Sequence, residues 1–456
     1  MSVAEHALPA AEPGILSPQR RAMTIGLVSL VSLVAFEALA VATAMPTAAQ
    51  ALDGLSLYAL AFGGVIAASV VGLVAAGRWC DVRGAAVPLQ AGVVAFVVGL
   101  ALAGLAPNMP LFVAGRIAQG FGQGLLLVAT YVVVAKVYPS PLRPRLFAAF
   151  SAAWVVPSLV GPTISGLVVE HAGWRWVFLA VPFLALPALW MLRPGLRALP
   201  PPAPSDASVG FAHRRMAWSL VGAAGACALH YAGQRHDAAG FALIAAATVA
   251  VAVCAWRLLP AGVLVARRGL PAVIALRGIA AAAFFSTEVF VPLMLSRERG
   301  LSPVWAGLAL TVGALGWSAG SWYQGTMSRK GPRPSVLRLG MTLIGGGVAT
   351  VAATAWAHVP AAVGIAGWTI AGLGMGLAYP ILAALALDLS APGEEGVNSS
   401  ALQLSEALTV ATVLALGGSL FATLLETSPT LAFVASYAVS VALALLGMVV
   451  AGRCRR

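Results

Sequence analysis

Fourteen apolar runs, separated by short polar or basic segments, follow one another along this chain. They lie at 24–45, 55–76, 87–106, 111–137, 146–169 and 174–192, then 216–232 and 238–259, then 271–295, 303–327, 336–357, 361–387, 399–425 and 431–451. A helix needs roughly 20 apolar residues to cross a hydrocarbon core of about 30 Å, so the runs have the length of membrane spans. Grouped as six, two and six, they predict a lobe over 22–193, a linker over 194–213, an inserted two-helix hairpin over 214–259 and a second lobe over 271–452. The linker carries Pro200, Pro201, Pro202 and Pro204 and is expected to be partly extended. The expectation is an all-α membrane protein with fourteen transmembrane helices.

The last six runs repeat the first six. Residues 116–125, RIAQGFGQGL, align with 368–377, WTIAGLGMGL, at an offset of 252 with three glycines in common, and 77–84 align with 324–331 at an offset of 247. Two parallel lobes related by an axis along the membrane normal place a substrate site between them near midplane. Composition agrees with lipid as the solvent, since 60% of the 456 residues are hydrophobic and 9% are charged.

The formal charge of +12 changes the picture only through its distribution. With both termini inside, 22 Lys and Arg fall on cytoplasmic segments, Arg277 counted among them, against four on external ones: Arg175, Arg235, Arg297 and Arg299. The positive-inside rule explains the charge without a nucleic-acid partner. The first span lacks a small-residue cleavage site and is expected to be retained. Cys80, Cys227, Cys254 and Cys454 have no metal-ligand spacing, so neither a metal nor a disulfide framework is expected. Trp174, Trp176, Trp190, Trp218 and Trp356 lie near span ends and read as an interfacial belt, and the scattered histidines read as interfacial.

Three motifs resemble those of the major facilitator superfamily, and specifically its fourteen-span drug:proton antiporter group. The loop after the second run resembles G-x-x-x-D-R-x-G-R-K through Gly77, Asp81 and Gly84. Val82 stands where the signature has Arg, so Arg83 is the nearest cation. The fourth run resembles R-x-x-Q-G-x-G in full through Arg116, Gln119, Gly120 and Gly122. The fifth resembles G-x-x-x-G-P-x-x-G-G through Gly161, Pro162 and Gly166, with Pro157 and Ser165 in place of two glycines. The resemblance implies the two-lobed facilitator fold, a cytoplasmic latch in the first loop that is weaker or rewired here, and exchange of substrate for protons, with no cofactor. Read without the family, Gly161, Ser165 and Gly166 let a neighbouring helix approach closely while Pro157 and Pro162 bend the backbone. Gly120, Gly122 and Gly124 read first as packing residues.

Chemistry must rest on the few ionisable groups carried into the spans, because each costs at least about 2.5 kcal/mol at the bilayer centre unless paired or hydrated. Glu37 lies about 18 Å deep from the inner boundary, and Arg116 about 8 Å below the outer one, so their depths agree within about a helical turn. Glu288 sits at an offset of 251 from Glu37, on the equivalent helix. Glu406 is shallower, about 10 Å from the inner mouth. All four are candidates for proton coupling, and Glu37 and Glu288 also for substrate charge. Each has a plainer reading: packing for Glu37 and Glu288, hydration for Glu406, a tie between helices for Arg116. Asp388 reads as a solvated helix-end charge. Among the aromatics, Phe121, Trp154, Phe290 and Tyr379 are the candidate substrate contacts, with Trp305, Trp317, Trp322, Phe284 and Phe285 behind them.

No convergent nucleophile or metal cluster suggests an enzyme. The reading is a monomeric, multi-pass, proton-driven exporter in the cell membrane, carrying hydrophobic or amphipathic compounds, cations among them, by alternating access. An exporter of lipids or endogenous secondary metabolites, or a proton-coupled metabolite symporter, stays open beside it.

Overall fold

The computed structural model describes residues 14–54, 57–199, 209–232, 238–301, 303–327, 333–425 and 427–455. Lipid offers a backbone no hydrogen-bond partner, so an apolar chain must satisfy its own N–H and C=O groups in helices. Among the described residues fifteen do so: α1 (Arg21–Ala51), α2 (Tyr58–Arg83), α3 (Ala86–Gly104), α4 (Met109–Val137), α5 (Arg143–Ala152), α6 (Val155–His171), α7 (Arg175–Arg197), α8 (Val209–Ala232), α9 (Ala238–Leu258), α10 (Leu270–Arg297), α11 (Pro303–Met327), α12 (Arg333–Ala353), α13 (Ala361–Asp388), α14 (Glu395–Leu425) and α15 (Pro429–Ala451). Each predicted run falls on a helix, and the fifth falls on two. Among the described residues, eleven helices are long and apolar enough to cross a membrane, with α5, α6, α8 and α11 outside that number.

Helices α1–α7 pack on one another, and so do α10–α15. The aligned glycines show why the two bundles look alike. A Cβ at Gly120, Gly122 or Gly124 of α4 would run into the backbone of Val65, Phe96 or Ser69, on α2 and α3. Gly372, Gly374 and Gly376 of α13 meet the backbone of Gly313, Gly340 and Trp317, on α11 and α12, in the same way. Small residues set close helix approach where lipid gives no hydrophobic drive to association.

The bundles are tied together at one end, the face where α2, α4 and α13 finish and α5, α12 and α14 begin. Arg78, Arg83, Lys136, Arg143, Arg145 and Arg333 stand there, and it is called the basic face below. Lys136 pairs with Glu395 at 2.9 Å, and Arg145 Nε donates to the Gly325 carbonyl at 3.1 Å. Asp388 takes Arg143 at 2.6 Å and Arg333 at 2.8 Å, so it is a junction of three helices and not the solvated end charge expected. Where α2 crosses α14, a Cβ at Gly77 would lie 2.8 Å from the Ser400 Cβ, and one at Gly396 would lie 2.6 Å from Asp81 Oδ1.

At the same face Thr24 donates to the Ile15 carbonyl, and its hydroxyl lies 2.7 Å from that of Tyr138. Burial pushes the Tyr138 phenol above its ordinary value, which keeps it a donor. The belt reading needs one correction. Trp176, Trp190 and Trp356 are exposed, but Trp174 is buried, edge-on to Phe112 and Phe178, with the Arg175 guanidinium over its ring.

Candidate functional site: two ion pairs inside the bundles

Pro157 decides how the first pair is framed. Having no N–H, it cannot bond the carbonyl of Ala153 four residues earlier, and its ring crowds that carbonyl. The predicted fifth span breaks at this point into α5 and α6. Ser32 of α1 supplies the missing donor to Ala153 O at 3.1 Å, and Ser165 of α6 donates to Ala40 O at 2.8 Å. Two serines thus hold α6 against the stretch of α1 that carries Glu37.

The two glycines do not share this work, contrary to the sequence expectation. A Cβ at Gly161 would make ordinary contact with Leu39 and Phe36, and one at Gly166 would meet nothing within 4 Å. The side chain of Pro162 lies outside the described residues. Ser32→Ala should leave the buried Ala153 carbonyl without its side-chain donor and cost about 1–3 kcal/mol, read as a lower unfolding temperature in detergent.

Arg116 and Gln119 are three residues apart and share one face of α4. Arg116 Nη1 donates to Glu37 Oε1 at 2.5 Å and to Gln119 Oε1 at 2.5 Å, while Nε reaches the Ala61 carbonyl of α2 at 3.4 Å. Exposure is 2% for Glu37, 4% for Arg116 and 0% for Gln119, so this charge pair is withdrawn from solvent and lipid alike. Gln119 Nε2 is left as a buried donor with no acceptor among the described residues.

The repeat does not carry the pair into the second bundle. At the position of Arg116 it has Trp368, whose ring stacks on Phe284 at 4.4 Å. Glu288, the counterpart of Glu37, is half-buried and has no polar partner among the described residues.

A different pair replaces it. Arg277, expected on a cytoplasmic segment, is instead 1% exposed inside α10, and its Nε donates to Glu406 Oε2 at 2.7 Å. Its presence within the apolar run at 271–295 was the available signal. The Tyr379 hydroxyl, on α13, meets both Glu406 oxygens at 2.8 and 2.9 Å, and the guanidinium lies over the Tyr379 ring. Arg277 Nη2 is shared between Gln403 and the hydroxyl of Tyr131, each at 3.4 Å. Tyr131 belongs to α4, so this cluster touches both bundles. Glu406 is therefore held by named donors and is not simply a hydrated mouth residue.

Pro380 repeats the logic of Pro157. It frees the carbonyl of Gly376, and Ser321 of α11 donates to it at 3.3 Å. Tyr379 precedes that proline and carries on an aromatic ladder from Trp368 through Phe284 and Trp317, the last two steps at 5.3 and 5.1 Å. Of the other aromatic candidates, Phe290 packs on Phe421 at 4.8 Å, Phe121 is half-buried, and Trp154 and Trp322 are exposed on the bundle surface. The side chain of Trp305 lies outside the described residues.

The first-loop motif joins the two bundles without the motif's Arg. Asp81 accepts the backbone N–H groups of Gly396 at 2.8 Å and Val397 at 2.9 Å, and Arg83 is exposed. Those two N–H groups open α14 and have no partner within it, and the positive end of the helix favours a carboxylate. The Asp81 carboxylate caps a helix of the opposite bundle.

Two like helical bundles that enclose charge pairs and close on each other at one end define a membrane transporter. Residues 25–412 match the Major Facilitator Superfamily, and the chain belongs to it. This is a superfamily of transporters and not of enzymes, and it needs no cofactor. A probable multidrug-efflux transporter of Mycobacterium tuberculosis is 30% identical over 338 residues, covering 69% of this chain and 70% of that protein. A multidrug efflux pump of Staphylococcus aureus is 28% identical over 154 residues, 34% of each chain. Among solved structures, the human organic anion transporter MFSD10 superposes with a TM-score of 0.69 at 15% identity, over 95% of this chain and 99% of that one. A bacterial homologue of the iron transporter ferroportin in an outward-facing state gives 0.68 at 14%, over 95% and 98%. At these identities the structural likeness is one of fold. The chain is a multi-pass membrane transporter of small substrates.

Proposed function

We propose that this chain is a proton-coupled antiporter that exports hydrophobic or amphipathic compounds, cations among them, across the cell membrane by alternating access. In this reading fourteen helices cross the bilayer, α5 and α6 counting as one. The basic face and both termini are cytoplasmic, in keeping with the positive-inside rule, and the chain works as a monomer. The lobes are 22–193 and 271–452, joined by the linker 194–213 and the hairpin 214–259. The state described is closed toward the cytoplasm.

The buried Glu37–Arg116 pair carries the proposal. Ionised Glu37 balances Arg116. A proton on Glu37 removes that balance and leaves a guanidinium unpaired in a low-dielectric interior, an expensive arrangement that favours another conformation. Glu288, which has no cation beside it among the described residues, supplies a carboxylate for the positive charge of a substrate. Arg277, Tyr379 and Glu406 link the second lobe to Tyr131 of the first, so a change at Glu406 is felt across the seam. Gly77, Asp81, Gly84 and Gln119–Gly122 serve the closure and packing of the lobes. The efflux role named for the mycobacterial and staphylococcal relatives favours drug-like cargo.

The test is a substrate-dependent proton flux. In proteoliposomes with an imposed pH gradient, a lipophilic cation should move against the protons and stop moving when a protonophore collapses the gradient. Proton movement in the same direction as the cation would make the protein a symporter and overturn the proposal. Arg277→Ala should leave the half-buried Glu406 without its paired cation and destabilise the protein by about 1–3 kcal/mol, most of it recovered in the Arg277→Met/Glu406→Gln double variant. Thermal unfolding in detergent measures both.

A further inference from the structure

Two lateral seams separate the bundles from the surrounding lipid, one where α2 meets α14 and one where α5 meets α11. The inserted hairpin covers the first. Ile244 and Val251 of α9 share a buried apolar cluster with Val70 and Val74 of α2 and Leu404 and Leu408 of α14. No chain element plays that part at the second seam among the described residues.

A groove of about 380 Å³ runs there instead, between the Ala148, Ala149 and Ala152 side of α5 and Trp322 of α11. Trp322 is 70% exposed. At the basic-face end of the groove stands Arg145. Its Nε holds the Gly325 carbonyl, and its two Nη groups have no partner among the described residues. Positive charge at headgroup level above an apolar trough a few turns deep matches one kind of molecule, a lipid with an anionic head.

We infer that one anionic phospholipid of the leaflet at the basic face seats in the α5–α11 seam, its phosphate on Arg145 and an acyl chain along Ala148, Ala149 and Ala152 against Trp322. The lipid fills this seam as the hairpin fills the other. Its two walls belong to different bundles, so the fit changes when the bundles move, and a lipid that prefers one state stabilises that state by linkage. The inference rests on membrane embedding and not on the antiport reading.

Native mass spectrometry of the detergent-purified protein titrated with phosphatidylglycerol or phosphatidylcholine tests it without a transport assay. One phosphatidylglycerol should be retained about fivefold more tightly than phosphatidylcholine, as expected for a single guanidinium at an anionic headgroup. Arg145→Ala should erase that preference, and Ala149→Phe, which fills the trough from its lipid side, should weaken retention of both lipids. Arg338→Ala removes an equal charge from the same face away from the groove and should change neither. Unchanged retention in Arg145→Ala and Ala149→Phe, or equal retention of the two lipids by the wild type, overturns the site. Displacement of phosphatidylglycerol by inorganic phosphate alone would also overturn it, as the mark of a free-anion site. A thermal unfolding midpoint for each variant shows that it is folded.

Discussion

Glu37→Gln is expected to reduce substrate-dependent proton movement to the level of empty vesicles while leaving the protein folded. The glutamine keeps the shape of the side chain and an oxygen that accepts from Arg116 Nη1, which Gln119 Oε1 also shares. What it removes is the ability to take up and release a proton. Stability should therefore fall much less than in Arg116→Ala, where an ionised carboxylate stays buried without its cation at a cost of about 3–5 kcal/mol. The contrast separates a coupling residue from a packing residue. A packing role alone predicts normal proton flux in Glu37→Gln, and that result would move the coupling function elsewhere, first to Glu288.

The fold was legible because lipid imposes a simple grammar of apolar runs, and the three shared glycines at an offset of 252 identified the repeat before any packing was seen. The Glu37–Arg116 contact was legible from depth. Two groups carried in from opposite faces reach similar levels, and an unpaired charge there is costly. Arg277 was missed because it stands only about 10 Å inside its helix, where a long cation could equally reach the headgroups. Its partners come from α4, α13 and α14, and no local spacing shows which of many helices will meet. The break in the fifth span was half legible. Pro157 marked a bend, but the carbonyl it frees and the serine that satisfies it are 121 positions apart in the chain. The rewiring of the latch was legible in Val82 standing where the motif has Arg, but its new partner was not, because Asp81 accepts from backbone N–H groups of α14 more than 300 positions away.

Gly396→Ala is expected to open the basic face. The added methyl would lie 2.6 Å from Asp81 Oδ1 and 2.9 Å from the Cys80 Cβ, and it would collide with the Gly77 carbonyl oxygen. None of these atoms is the free end of a flexible chain, so closure itself becomes strained. Overpacking of this kind costs about 1–3 kcal/mol. Charged only to the closed state, it moves the balance between states by about 5- to 150-fold. Cys80 reports the shift directly, since it is 3% exposed and lies within the crossing of α2 and α14. With Cys227, Cys254 and Cys454 replaced by Ser, a membrane-impermeant maleimide applied from the basic side should label Cys80 faster by that factor. Asp81→Asn, which removes the charge that caps α14, should move labelling the same way. Gly346→Ala, whose methyl would meet nothing within 4 Å, should leave it unchanged. Equal labelling in the wild type, Gly396→Ala and Asp81→Asn would mean that the contact between α2 and α14 does not govern access to this face, and the alternating-access assignment of the described state would fall with it.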